Sequence, residues 1–90
     1  MNHKPPQKAF MVTNRDAIRA ILTPYQMRIL RMLMCGQSQT VIAEVLGKHP
    51  RGIQQQVEAV RRHLGCATTY QLIAVITMSG VLDEPNQRTA

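Results

Sequence analysis

Helix start and stop signals divide most of this chain into segments of helix length. Ser, Thr or Pro opens each segment and Gly closes it, over residues 23–36, 38–47, 50–65 and 68–80. Ser and Thr cap the free N–H groups of a first helical turn, Pro suits the first helical position, and Gly adopts the left-handed conformation that ends a helix. Ahead of them, Thr13 and Asp16 form a weak capping box in front of a short amphipathic stretch. The sequence therefore predicts a short helix followed by four helices.

The core of such a chain has to be aliphatic. Hydrophobic residues make up 44% of the 90 positions, but aromatic residues only 3%, and Trp is absent. Helical periodicity predicts an inward side made of Ile18, Ile21, Leu22, Met27, Leu30, Leu33, Met34, Ile42, Val45, Leu46, Ile53, Val57, Val60 and Leu64. We therefore predict one all-α domain at 22–82, with an N-terminal arm and the short helix at 1–21 and a tail at 83–90.

Charge and cysteine content narrow the classes of function. A formal net charge of +6 on 90 residues favours nucleic acid or acidic surfaces as partners. The two cysteines are too few for a secreted disulfide scaffold, so we expect reduced thiols in a cytoplasmic protein. His63 and Cys66 lack the second ligand pair of a zinc site. No phosphate loop, catalytic pairing, signal peptide or membrane-length segment is present. We predict no enzyme, no cofactor, no metal and no membrane partner.

The third predicted helix, about 51–64, has two contrasting sides. Its apolar residues are spaced to share one face, whereas the opposite face carries Arg51, Gln54, Gln55, Glu58 and Arg62. In a major groove, Gln can bond adenine, Glu can accept from cytosine, and Arg can bind guanine or phosphate. The same residues also suit an outer face in plain water, so the polar array alone leaves both interpretations open.

The start of this helix favours the first interpretation. Lys48, His49 and Arg51 add positive charge where the free N–H groups already form a positive pole, and no Ser, Thr or Asp is there to cap them. A backbone phosphate suits such a place. A scaffold helix, a short turn and a longer helix packed on a preceding helix also correspond to the helix-turn-helix arrangement.

Residues 22–82 resemble the C-terminal DNA-binding domain of LuxR/FixJ/NarL-type (GerE-type) transcription regulators. The resemblance runs without a gap over about two thirds of the chain, and its marks are specific only in combination. These marks are Leu22-Thr23-Pro24, Leu30, Gly36-x-Ser38, Ile42-Ala43-x-x-Leu46-Gly47, Ile53, Val60, Leu64-Gly65 and Gln71-Leu72. The resemblance implies a bacterial four-helix helix-turn-helix module whose third helix enters the major groove of double-stranded DNA.

The resemblance also implies roles for individual side chains. Base contacts correspond to Gln54, Gln55 and Glu58. Backbone contacts correspond to Gln39, Thr40, Gly52 and Thr69, to which we add the basic group Lys48, His49, Arg51 and Arg62. In the family the fourth helix often supports dimerisation. That helix is apolar on more than one side here, and we choose Ile73 and Ile76 as the outward pair of a homodimer.

Several positions depart from the family pattern. Gln26 and Val41 stand where the family usually has acidic residues, and Gly52, Gln54 and Gln56 stand where it usually has Thr, Lys and His. Thr69 lies where a basic residue is usual, and Glu58 adds a negative charge. These departures keep a second hypothesis open, in which a small antagonist or co-regulator of the same fold binds another transcription regulator instead of DNA.

Overall fold

Five α-helices and one short 3₁₀ turn make up the residues that the computed structural model describes, 12–83. They are α1 Arg15–Ile21, α2 Pro24–Met34, α3 Gln39–Leu46, α4 Pro50–His63, α5 Thr69–Ser79 and the 3₁₀ turn Val81–Asp83. The prediction of an all-α chain is confirmed for this range, which contains no strand. The predicted arm before residue 12 and the tail beyond residue 83 lie outside the described residues.

Most helix boundaries follow the capping residues of the sequence. The side chains of Thr23, Ser38 and Thr68 each accept a hydrogen bond from the backbone N–H three residues later, at 3.0–3.1 Å. The expected cap at Thr13 is wrong, because Asn14 takes that position and its side chain accepts the N–H three residues on at 3.0 Å. Asn is one of the strongest helix caps, and its use here shortens α1 by one residue.

The core is aliphatic, as the composition predicts. Its buried members are Ile18, Leu22, Ile29, Leu30, Ile42, Ala43, Ile53, Val57, Val60, Leu64, Cys66, Leu72, Val75, Ile76 and Val81. No aromatic ring is among them, although Tyr25 packs partly buried against their edge. Every helix contributes at least one of these side chains, so the described helices share a single core.

Two expected core residues lie at the surface. Val45 is 62% exposed and Met34 is 38% exposed. Two residues that were not expected in the core are buried instead, Ala43 in α3 and Ile29 in α2, each 1% exposed. Ala43 is two residues from Val45 and Ile29 is five from Met34, so at about 100° per residue each lies on nearly the opposite side of its helix. The apolar stripes of α2 and α3 are wide enough that their spacing left the centre undetermined.

Helix α4 lies at the centre of the arrangement. It contacts α2, α3 and α5, and its contact with α3 is the most extensive between any two elements. Helix α1 packs against the 3₁₀ turn, and the N–H of Val12 donates to the carbonyl of Leu64 at 2.9 Å. Because its neighbours cover one side of α4, they determine which of its side chains face outward.

Candidate nucleic-acid interface on α4

A three-residue turn, 47–49, sets the direction of α4 relative to α3. Gly47 ends α3 with φ of 68°, in the left-handed region where a side chain would strain the backbone. The N–H of Lys48 then donates to the carbonyl of Ala43 at 2.8 Å, which closes the end of α3. The ammonium of Lys48 lies 5.9 Å from the centre of the Tyr25 ring, a weak cation–π contact at the start of α2.

The two faces predicted for α4 are observed. Ile53, Val57, Val60 and Leu64 are at most 3% exposed. On the opposite side Arg51, Gln54, Gln55 and Arg62 are exposed, and the Glu58 side chain is 43% exposed. The apolar face therefore fixes α4 in the core, and the side chains of the polar array point away from it.

The N-terminus of α4 is capped, contrary to the expectation of an open end. The Nδ1 atom of His49 accepts a hydrogen bond from the N–H of Arg51 at 3.1 Å. The N–H groups of Gly52 and Ile53 donate to the carbonyl of His49 at 2.9 and 3.3 Å, and Pro50 has no N–H. The N-cap is thus a His side chain, whereas the expectation of an open end considered only Ser, Thr and Asp as caps. An anion at this end would thus meet side chains rather than free backbone donors.

Glu58 is paired within α4 itself. Its Oε1 atom lies 2.9 Å from an Arg61 nitrogen and 3.5 Å from an Arg62 nitrogen. The hydrogen bond and the positive charge of Arg61 hold the pKa of the Glu58 carboxyl below its ordinary value, outweighing the opposite effect of burial, and the charge of Arg62 adds to the lowering. The negative charge that the sequence places in the polar array is therefore offset by two guanidinium groups.

Neighbouring arginines on α4 have different surroundings. The Arg61 side chain is 22% exposed, and it donates to the carbonyls of Cys66 and Ala67 at 3.0 and 3.2 Å. The Arg62 side chain is 65% exposed, and within residues 12–83 its one contact with a charged group is the longer one with Glu58. Arg61, which the sequence did not single out, ties the end of α4 to the turn before α5. Arg62 remains available to a ligand.

Two glutamines that depart from the family pattern contact each other. The Nε2 atom of Gln26 donates to the Oε1 atom of Gln56 at 3.0 Å, and Gln26 is only 9% exposed. The Oε1 atom of Gln26 in turn accepts from the N–H of Thr23 at 3.1 Å. Thr23 and Gln26 form a capping box, whose three-residue spacing is visible in the sequence. The bond to Gln56 joins positions 30 residues apart and leaves no sequence signal.

The remaining backbone contacts expected from the resemblance lie near helix starts. Gln39 and Thr40 are in the first turn of α3, the former partly buried and the latter exposed. Thr69 is the exposed first residue of α5. Gly52, the third residue of α4, is partly buried, and a Cβ atom added there would meet nothing within 4 Å. Thr40, Thr69 and the space beside Gly52 are therefore open to a ligand, whereas Gln39 is partly covered.

The expected outward pair on α5 needs correction. Ile76 is 1% exposed and belongs to the core, and Ile73 is partly buried. The exposed side of α5 instead carries Tyr70, Ala74 and Met78, four residues apart, with Tyr70 88% and Met78 72% exposed. Because α5 is apolar on nearly all sides, its periodicity could not identify the outward one.

Comparison with known proteins adds no relative. No protein-family model matches the chain, and neither a curated protein nor a solved structure matches it. Within residues 12–83, no three His, Cys, Asp or Glu side chains are grouped so that they could hold a metal ion. No helix in that range is long and apolar enough to cross a membrane. The function therefore has to be inferred from the surface of α4 and its neighbours.

Proposed function

We propose that this protein is a sequence-specific double-stranded DNA-binding transcription regulator that reads the major groove with α4. The observation that carries the proposal is the outward polar face of α4. Gln54 and Gln55 are exposed there, and neither side chain makes a hydrogen bond within the described residues. A free glutamine amide can present a donor and an acceptor side by side, the pair that an adenine edge requires.

The placement of α4 supports the same function. Helix α3, the turn 47–49 and α4 follow one another with α2 packed on α4, an order typical of helix-turn-helix proteins. In those proteins the second helix of the motif lies in the major groove while the first crosses the backbone. Thr40 at the start of α3 and Thr69 at the start of α5 are exposed polar groups suited to phosphate contacts.

The positive charge around α4 gives moderate support to DNA binding and predicts how steeply the affinity falls with salt. Between residues 24 and 65 the cations are Arg28, Arg31, Lys48, Arg51, Arg61 and Arg62, against the anions Glu44 and Glu58. Arg61 is engaged by two carbonyls, and Lys48 lies near Tyr25. Each phosphate neutralised steepens the dependence of log K on log salt by about 0.9. Few free cations near α4 therefore predict a shallow salt dependence.

A homodimer through α5 completes the proposal. Tyr70, Ala74 and Met78 form an exposed stripe along that helix, and large exposed apolar side chains in a row are typical of interfaces. A two-fold dimer would present two copies of α4 to two half-sites, as dimeric helix-turn-helix proteins do.

A second candidate function is binding to another transcription regulator. Val41 and Val45, one turn apart on α3, are 40% and 62% exposed. Two exposed valines on one side of a helix favour a protein surface over phosphates as their contact. Loss of partner binding on changing Val41, with no DNA binding by the wild type, would favour this candidate.

Gel-shift titration on genomic fragments at two salt concentrations tests the proposal. We expect a subset of fragments to be retained, with affinity falling moderately as the salt concentration rises. Absence of any retained fragment at the lower salt concentration would overturn DNA binding.

A further inference from the structure

A series of hydrogen bonds fixes which end of the Gln56 amide faces outward. It starts at the backbone N–H of Thr23, a group that can only donate, and the Oε1 atom of Gln26 accepts from it at 3.1 Å. The opposite end of the Gln26 amide is therefore Nε2, which donates to the Oε1 atom of Gln56 at 3.0 Å. The end of Gln56 that remains is Nε2, with its two N–H donors.

Gln26 is held firmly enough to impose this orientation. Its own N–H donates to the Oγ1 atom of Thr23 at 3.0 Å, so backbone and side chain are both tied to the same residue. Gln26 is 9% exposed, and turning its amide over would leave a buried donor facing the Thr23 N–H. A buried polar group without a partner is costly, so the amide stays in one orientation.

The two N–H donors of the Gln56 amide have no partner within the described residues. Gln56 is partly exposed, and its only hydrogen bond within the described residues is the one to Gln26. One turn earlier on α4, Gly52 offers open space where a side chain would otherwise project. An amide fixed with its donors outward suits a ligand group that only accepts hydrogen bonds, such as a phosphate oxygen.

Gln56 differs in this respect from the neighbouring glutamines. The amides of Gln54 and Gln55 can turn to present a donor and an acceptor together, as base reading requires. The Oε1 atom of Gln56 faces Gln26 and accepts from it, which ties that end of the amide to α2 and leaves the Nε2 end for a ligand. Phosphate contacts position a protein on DNA without reading sequence.

We propose that Gln56 binds a DNA phosphate through Nε2 and that Gln26 is a positioning residue that holds the amide in the donating orientation. This inference rests on the DNA-binding function proposed above. It assigns general affinity, rather than sequence preference, to a residue in the middle of the proposed reading helix, and it gives the buried Gln26 a role at the DNA surface.

Three variants test the proposal with a fluorescein-labelled duplex of mixed sequence. Gln56→Met removes the donors, Gln26→Met removes the group that orients them, and the double variant removes both. We expect about 3- to 10-fold weaker binding for each single variant, the effect of one hydrogen bond. Because Gln26 acts through Gln56, the double variant should bind no more weakly than Gln56→Met. Gln37→Met, an exposed position in the turn before α3, is the matched control and should bind like the wild type.

Nuclear magnetic resonance separates this role from a purely stabilising one. In the wild type, the side-chain NH₂ signals of Gln56 should shift when the duplex is added. In Gln26→Met, observed well below its unfolding temperature, that shift should be lost. If the wild type binds no duplex, this inference and the proposed function fall together. Wild-type affinity in folded Gln56→Met would overturn the inference and leave DNA binding standing. Weakened Gln56→Met beside unchanged Gln26→Met would overturn the positioning role.

Discussion

Arg61 and Arg62 are adjacent in sequence, but their replacement by Met should have opposite consequences. Arg61→Met keeps much of the buried stem and removes the two hydrogen bonds to the carbonyls of Cys66 and Ala67, together with the partly exposed ion pair with Glu58. Hydrogen bonds from a charged but partly exposed donor contribute about 1 kcal/mol each, so the free energy of unfolding should fall by roughly 2 kcal/mol. For a domain of this size that lowers Tm by roughly 10 °C.

Arg62→Met is the matched control for stability. The Arg62 side chain is 65% exposed and its ion pair with Glu58 spans 3.5 Å. Exposed pairs of this kind contribute within about 0.5 kcal/mol, so Tm should barely change. DNA binding should show the reverse order, because Arg62 is free to reach a phosphate and Arg61 is engaged. Folded Arg61→Met should bind a mixed-sequence duplex like the wild type, and Arg62→Met should bind it more weakly.

Thermal unfolding followed by circular dichroism, with duplex binding measured below the transition, provides the two quantities. Equal losses of Tm in the two variants would refute the distinction drawn from their contacts. So would a stability loss confined to Arg62→Met.

Other predictions concern the reading face, the ion pair and the dimer. Gln55→Ala should cost about 1–3 kcal/mol on the preferred site and much less on random duplex, as competition binding would show. Arg61 lowers the pKa of Glu58, so the ion pair stabilises the fold above the ordinary value of 4.5 and its contribution is lost as pH falls through the lowered pKa. Glu58→Gln should therefore unfold at a lower temperature than wild type at neutral pH, and the two should converge in acid. Changing Tyr70 and Met78 together to Lys should turn a sedimenting dimer into a folded monomer, and a monomeric wild type would contradict the α5 interface.

Helix boundaries could be predicted because their causes are local. A cap accepts a hydrogen bond from a residue three positions away, and a terminal glycine adopts its conformation without help from distant residues. The exception is α1, for which Thr13 was the expected cap and the adjacent Asn14 is the observed one. The apolar face of α4 was equally clear, because Arg51, Gln54, Gln55, Glu58 and Arg62 define the opposite face.

Which face of a helix is buried depends on the other helices that pack against it. The spacing of apolar residues along one helix does not describe those contacts. Val45 was expected inside and lies at the surface, because the buried side of α3 carries Ile42 and Ala43 instead. Ile76 was expected outside and is buried, since few polar residues on α5 distinguish its sides. The pairing of Gln26 with a residue of α4 likewise depends on how two helices cross, and only the folded chain reveals it.

The proposed function depends above all on contact between DNA and the outward face of α4. The most direct test is a two-dimensional NMR titration of the ¹⁵N-labelled protein with duplex at low salt. We predict that the largest shifts fall on α4 at Gln54, Gln55 and Glu58, with weaker ones at Thr40 and Thr69. Shifts confined to α5, or no shifts at all at a large excess of duplex, would contradict the claim that α4 is the DNA-reading helix.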